Sequence, residues 1–455
     1  MGRLILSQIW DRFSSFSIAD IKMSYQSRAN LNDPENKGFP ISISQPKTPT
    51  KICILGGGFA GLYTALSLAR LSWHKSLIPN ITLIDKEERF LFTPFLYELI
   101  TDEFRDWEIA PSFQKLLAKV KVKFCQGTVE NINLKQREIH LKNQECLTYD
   151  YLVLSVGRKT FSSVVSEQEV ETYPFRTLAD AERLKQRLSG LELSPKPKIS
   201  IAVIGGGPNG VELAGKLADR LQKRGQIYLI VRGQQILKGF SNFSRKVAYQ
   251  SLASRGVQLK FQTQIQSVDH HHITLIEPEQ QHKIPIDLVI ETVGTQPREW
   301  LYHLDCQHNK RGQVLTTPTL QFIDYPEVFA LGDLADIRNL QGQQVPATAQ
   351  AAFQQGAATA DNLKALIMGK SLKAFHYVHL GEMLTLGVRE AIVSSFGINL
   401  SGLIACWVRT WVYILLRMPT VNHRLQVTQY RWKQGIKNLF KIPWKSSKFN
   451  FHKPL

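Results

Sequence analysis

Cysteine is scarce in this chain. There are five in 455 residues (Cys53, Cys125, Cys146, Cys306 and Cys406), none forming a CxxC pair or grouping with histidines. That excludes a zinc ribbon and thiol–disulfide exchange as the chemistry, and it suits a reducing compartment. No run of about 18 uncharged apolar residues is present, which excludes a polytopic membrane protein. Acidic residues are missing from the last seventh of the chain. Between Ala391 and Leu455 there are ten Lys or Arg, from Arg409 to Lys453, and no Asp or Glu. What is plentiful is apolar content, 43% of residues, enough for sizeable cores and too much for a disordered or collagen-like chain. The length predicts two or three domains.

Lys plus Arg number 56 against 38 Asp plus Glu, a formal charge of +18. So basic a chain meets an anion: nucleic acid, a membrane face or a substrate. More than half of that charge lies in the C-terminal seventh, interleaved with Trp407, Trp411, Trp432 and Trp444. Leu400, Leu403, Ile404, Trp407, Trp411, Ile414, Leu415 and Met418 recur at spacings of three and four, which predicts an amphipathic helix over 397–418 ended by Pro419. Arg409 and Arg417 interrupt it, so the helix is expected to lie in a membrane interface and not to span. Each basic residue near an anionic leaflet adds about 1 kcal/mol at most, so several together with one apolar face suffice for peripheral attachment. A core helix with a solvated basic tail is the alternative. Nucleic acid is not expected, because the rest of the chain is built for another task. Residues 1–49 read as a flexible extension. Asp11 and Arg12 break the apolar start, which makes it a poor secretory signal, and Met23 offers a second start.

Two glycine fingerprints organise the rest. Lys51–Leu55 is a buried-strand pattern running into Gly56-Gly57-Gly58-Phe59-Ala60-Gly61 and then a helix pattern. Gly56 permits the turn, Gly58 lets the backbone approach a pyrophosphate, and Gly61 lets the helix pack on the strand. The next strand ends in Asp85, an acceptor for ribose hydroxyls. The motif recurs at Ile199–Ile204, Gly205-Gly206-Gly207-Pro208-Asn209-Gly210, a helix over 211–222 and a strand over 227–231. One such motif is a weak signal and two complete ones are a strong signal. One unit is expected to hold FAD and the other a nicotinamide nucleotide. At the second ribose position Val231 and Arg232 replace an acid. That removes repulsion of a 2′-phosphate and offers it a partner, favouring NADPH or use of both nucleotides.

Tyr149–Gly157 and Ile286–Pro297 are paired apolar strands ending at Gly157 and Gly294, each expected to cross beneath a dinucleotide. Val328–Asp333 is a strand, Gly332 and an acid, and Asp333 is a candidate for the ribityl chain of a flavin. Gln350 and Gln354 share a helix face and are candidates to present amides to a flavin edge and a quinone carbonyl. His270, His271 and His272 alternate faces and are read as a hairpin loop, so no metal site is expected.

At this point the chain resembles the type II NAD(P)H:quinone oxidoreductases, from about Lys51 to Arg431. The resemblance is carried by both GGG fingerprints, Gly210-Val211-Glu212, Leu331-Gly332-Asp333 and Ala349-Gln350 to Gln354. The strings 88–99, Asp106–Pro111 and Gly381–Gly387 are similar to the chloroplast and cyanobacterial branch. The resemblance implies two Rossmann-like α/β domains with a C-terminal amphipathic membrane module. The FAD domain is expected over 50–160 and 311–390, the NAD(P)H domain over 161–310 and the membrane module over 391–455. It implies FAD as cofactor and NADPH, or NADH, as donor. The acceptor it implies is a prenylated naphthoquinone on the way to phylloquinone, with a benzoquinone such as plastoquinone second. FAD would be held by Gly56, Gly58, Gly61, Asp85, Gly157, Gly332, Asp333 and Gln350. NADPH would be held by Gly205, Gly207, Gly210, Glu212, Arg232 and Gly294. Catalytic roles fall to Glu212, which would position the nicotinamide or manage protons, and to Gln350 and Gln354. A first-turn Glu stabilised by the helix dipole is the alternative for Glu212. Tyr97, Phe92 and Leu386 are candidate walls of an apolar tunnel, with ordinary core residues as the favoured alternative. The implied location is the cytoplasmic face of a thylakoid or plasma membrane; homodimerisation is left open. A ferredoxin- or rubredoxin-type reductase, or a non-catalytic flavin sensor at a membrane, would share the fold.

Overall fold

The structure is a computed structural model that describes residues 49–160, 172–278 and 280–440. The expected N-terminal extension, apart from its last residue, and the basic tail with Trp444 and Lys445 lie outside the described residues. Among the described residues, those up to Arg409 form one unit and those from Thr410 onward belong to a second.

Each glycine fingerprint starts a parallel sheet. The first begins with β1 (Lys51–Leu55), whose Ile52, Ile54 and Leu55 are fully buried. Helix α1 (Phe59–Arg70), β2 (Asn80–Asp85), β3 (Val122–Gln126) and β4 (Tyr151–Leu154) follow. The second sheet takes β5 (Tyr173–Pro174), helix α2 (Leu178–Leu193), β6 (Ile199–Ile204), helix α3 (Pro208–Leu221) and β7 (Gly225–Val231). Helix α4 (Asn242–Ser254), β8 (Gln258–Phe261) and β9 (Leu288–Glu291) complete it. The chain then returns to the first sheet with β10 (Val328–Ala330). The orders are β10-β4-β1-β2-β3 and β8-β7-β6-β9-β5. Near-continuous apolar runs such as Ile-Ser-Ile-Ala-Val-Ile fit parallel strands covered on both faces.

Each doubly wound unit carries an antiparallel three-stranded flap, over 129–148 in the first and 264–285 in the second. His270 and His271 fall in the turn before the strand His272–Ile276, with Asp269 accepting the His271 and His272 N–H groups. Helix α5 (Ala349–Ile367) packs along α1.

The C-terminal part departs from expectation in two ways. The strands Glu382–Gly387, Glu390–Ser395 and Ile398–Ser401 form one sheet, so a boundary at 391 falls inside a hairpin. The helix starts later than its apolar spacing suggests. Ile398–Ser401 is pulled into that sheet, Gly402 turns the chain with φ +73°, and only then does α6 (Gly402–Val412) begin. In the second unit a helical turn over Tyr413–Arg417 ends before Pro419, and α7 (Val421–Phe440) follows. Arg424 closes that turn by donating to the Met418, Leu415 and Leu416 carbonyls at 2.6, 3.0 and 3.3 Å. No described helix is long and apolar enough to cross a membrane.

Candidate active site

The two fingerprints are built alike. Gly56 and Gly205 have φ of +96° and +122°, a region that L side chains avoid. A side chain at Gly61 would overlap the Gly56 carbonyl, and one at Gly210 the Gly205 carbonyl. Ser155 Oγ donates to Leu55 O at 2.9 Å beneath the first loop, and Thr292 Oγ1 donates to Ile204 O at 2.7 Å beneath the second. Gly58 and Gly207 differ from the others, since a Cβ at either meets nothing within 4 Å. Both are helix N-caps without a side-chain cap, and Pro208 follows Gly207 at the first helical position. Each helix therefore aims unpartnered N–H groups into open space, which suits a pyrophosphate. The residues fit two dinucleotides.

Asp85 closes the first loop. Its carboxylate accepts from Gly57 N at 2.5 Å and Glu87 N at 2.8 Å. Burial nevertheless raises its pKa above the usual carboxylate value. Beside the second fingerprint Val231 lies under Gly206, where a Cβ would come within 2.7 Å of Val231 Cγ1, and Arg232 is exposed. Gly157 and Gly294 both have positive φ, +60° and +86°.

At the Gly332 turn the amide that reaches the backbone belongs to Gln355, a residue the sequence reading passed over. Gly332 N donates to Gln355 Oε1 at 2.8 Å. Asp333 is held 3.1 Å from Arg176 Nη2. Arg298 donates to Val156 O at 3.2 Å, and burial lowers its pKa despite the nearby Asp85. Arg176 and Arg298 thus place cations between the two acids expected to hold a dinucleotide.

Gln350 and Gln354 take a different role from the one expected of them. Gln350 Oε1 accepts from Tyr377 Oη at 2.7 Å and Leu380 N at 3.0 Å. Gln354 donates to Val378 O at 2.8 Å and accepts from Val378 N at 2.9 Å. Their amide heads pin the segment 377–381 to α5 and are not aimed at open space. Spacing put them on one face, and it could not show that another segment already covers that face.

Glu212 is no exposed first-turn carboxylate. It is buried, and its Oε1 accepts from Thr385 N at 2.9 Å. Burial pushes its pKa up to about 8, against the pull of Arg409 and the Thr385 N–H. Close approach of α3 to the strand 382–387 makes this possible, since a Cβ on Gly215 would overlap the Leu386 carbonyl. Tyr97, Phe92 and Leu386 are all buried, Phe92 against the Phe59 and Phe95 rings. The strings 88–99 and 106–111 pack on each other: Phe90 N donates to Pro111 O at 3.0 Å and Phe92 N to Ile109 O at 2.8 Å.

Arg409 requires a correction. Expected at a membrane interface, it is 2% exposed and donates to Glu98 Oε1 at 2.6 Å. Ala405, Val408 and Arg409 form the buried face of α6, whereas Leu403, Ile404 and Trp407 are 66%, 63% and 54% exposed. The larger apolar side chains face outward and the small ones face in. Among the described residues one trio has metal-capable atoms close together, Glu138, His140 and Cys146 on the first flap, at the surface.

The pyridine nucleotide-disulphide oxidoreductase family matches over residues 50–356. The five cysteines are free and scattered, so the disulphide of that name has no counterpart here. The chain is 45% identical over 381 residues to the demethylphylloquinone reductase NdbB of Synechocystis sp., covering 83% of this chain and 94% of that one. It is 36% identical to the alternative NAD(P)H-ubiquinone oxidoreductase C1, chloroplastic/mitochondrial, of Arabidopsis thaliana, covering 93% and 88%. Among solved structures, NDH2 of Plasmodium falciparum in complex with NADH matches with a TM-score of 0.75 at 18% identity, covering 85% and 98%. The chain belongs to the pyridine nucleotide-disulphide oxidoreductase family, as one of its type II NAD(P)H:quinone oxidoreductases.

Proposed function

We propose that the protein oxidises NADPH and reduces a membrane prenylquinone, with demethylphylloquinone as the principal acceptor. The observation that carries the choice of acceptor is the 45% identity, over most of both chains, to a demethylphylloquinone reductase. Gly58 and the α1 N-terminus would hold the FAD pyrophosphate, with Asp85 toward the ribose and Asp333 toward the ribityl chain. Gly207 and the α3 N-terminus would hold the nicotinamide nucleotide, with Arg232 beside its 2′-phosphate. When bound, FAD accepts a hydride from the nicotinamide and passes the two electrons to the quinone. The overall change is NADPH plus a proton plus quinone to NADP⁺ plus quinol, so one proton must come from the medium. The buried Glu212 carboxyl is the group that holds it. Gln350 and Gln354 act by fixing 377–381 as one wall of the site.

The exposed Leu403, Ile404 and Trp407 on α6 give the protein an apolar face toward lipid. In the second unit Val421, Leu425 and Trp432 supply another on α7. Peripheral docking on an anionic membrane would admit the quinone head while its prenyl tail stays in the bilayer. A benzoquinone acceptor is the second reading, favoured by the 36% identity to a ubiquinone-reducing relative.

The test is steady-state turnover of FAD-loaded protein on vesicles carrying one quinone at a time. A higher kcat/KM for the demethylated naphthoquinone than for plastoquinone is expected. The reverse order would move the assignment to the benzoquinone.

A further inference from the structure

Three carboxyls and two cations form one cluster between α3, the segment 94–103 and α6: Glu98, Glu212, Lys216 and Arg409 are buried and Glu103 is half-buried. Arg409 Nη1 donates to Glu98 Oε1 at 2.6 Å, and its Nη2 donates to the Pro94 carbonyl. The guanidinium lies 5.2 Å from the centre of the Phe95 ring, and Nη2 stands 3.7 Å from Glu212 Oε1. Lys216 pairs with Glu103 and stands 4.0 Å from Glu98 Oε1. Glu98 Oε2 is buried with no hydrogen-bond partner. The groups facing Glu212 are Glu98 and Tyr97 from one segment, Lys216 from its own helix, Arg409 from α6, and the Thr385 N–H.

Two cations here face three carboxyls. A buried cluster with an unmatched charge is costly, and one proton restores the balance. Burial raises the proton affinity of Glu212, and Arg409, 3.7 Å away, is the group that opposes the rise most strongly.

We propose that Arg409 is a positioning residue of the reaction: by clamping Glu98 and flanking Glu212 it makes the proton on Glu212 releasable, and it ties that proton to the seating of α6. The proposal rests on the quinone-reductase reading for the fate of the proton. The proton leaves the Glu212 carboxyl for a reduced quinone oxygen, directly or through water. The remaining carboxylate is matched by the guanidinium 3.7 Å away, and water returns a proton afterwards. Without the arginine, Glu212 holds its proton to a higher pH. Because Arg409 shares α6 with the exposed Leu403, Ile404 and Trp407, a shift of that helix on lipid alters the same balance.

The test uses the full FAD-loaded chain and two readouts. The first is an infrared titration of the protonated-carboxyl C=O band, which Glu212→Gln should remove. Arg409→Gln should move the midpoint of that band up by about one pH unit or more. Glu98→Gln, which removes a like charge, should move it down, and Arg409→Lys should leave it near wild type. The second readout is the alkaline limb of flavin reoxidation by quinone, which should move in the same directions. A midpoint unmoved by Arg409→Gln, with thermal stability lowered, would make the arginine a structural strut and overturn the proposal. Should Arg409→Gln fail to fold, an unmoved midpoint in Glu98→Gln overturns it equally. A band that shifts as expected in protein that no quinone reoxidises would uphold the linkage and remove only the quinone reading.

Discussion

Glu212 and Thr385, 173 positions apart in the chain, are joined by one buried hydrogen bond of 2.9 Å from the Thr385 N–H to the carboxyl. The bond ties the second dinucleotide helix to the C-terminal sheet and takes Glu212 out of water. An ordinary Glu releases its proton near pH 4.5, and this one holds it to about pH 8. Across that window the folded state binds more protons than the unfolded one, so stability falls as pH rises through it. Glu212→Gln lacks that slope. Its melting temperature should match wild type near pH 4.5 and exceed it by a growing margin toward pH 8, as calorimetry at several pH values will show. A variant that melts lower than wild type at pH 8 contradicts the buried, proton-holding carboxyl.

The glycines of each fingerprint separate into packing and binding positions. Gly58→Ala adds a methyl into open space, so the protein should fold with a melting temperature near wild type and bind FAD at least tenfold more weakly. Gly207→Ala should retain FAD and raise the KM for NADPH. Gly61→Ala collides with the Gly56 carbonyl and should not give soluble folded protein. Absorbance of the bound flavin, measured beside the melt, distinguishes the three.

Gln354→Ala removes both bonds to Val378. The orphaned backbone groups cost about 1–3 kcal/mol if they stay buried, so the segment 377–381 should loosen. Flavin reduction by NADPH should change little and quinone turnover should fall, with new proteolytic cleavage near 377–381. Equal loss in both half-reactions would contradict a role confined to that wall.

Burial pushes the Cys53 and Cys306 thiols up to about 12, while Cys146 is exposed. The thiolate is the reactive form. A maleimide at pH 7.5 should label Cys146 first and leave Cys53 and Cys306 unmodified, with activity retained. Loss of activity on labelling Cys146 would reopen thiol chemistry, which the scattered cysteines argue against.

Much of the scaffold was legible because it is local. A strand, a glycine turn and a helix follow one another in the chain, so the spacing of Gly56, Gly58 and Gly61 carries the geometry directly. The clamp of Gln350 and Gln354 on 377–381 was not, since it depends on what covers a helix face from a distant segment. The start of α6 was misread because Leu400 continues the apolar spacing, yet its backbone is claimed by the strand 390–395. Arg409 was misread for a related reason. It looked like a cation in an apolar stripe, and its partner Glu98 lies 311 positions away. A hint was present: Ala405, Val408 and Arg409 recur at helical spacing opposite Leu403, Ile404 and Trp407, so the arginine shares the small-residue face that packs inward.

The most direct measurement of the central claim is an anaerobic titration of the purified, detergent-solubilised protein, followed by flavin absorbance. NADPH should bleach the flavin, more readily than NADH given Val231 and Arg232. Demethylphylloquinone should then restore the oxidised spectrum within one turnover time. Bleaching with no reoxidation by any quinone would contradict the account and point to a protein electron acceptor in its place.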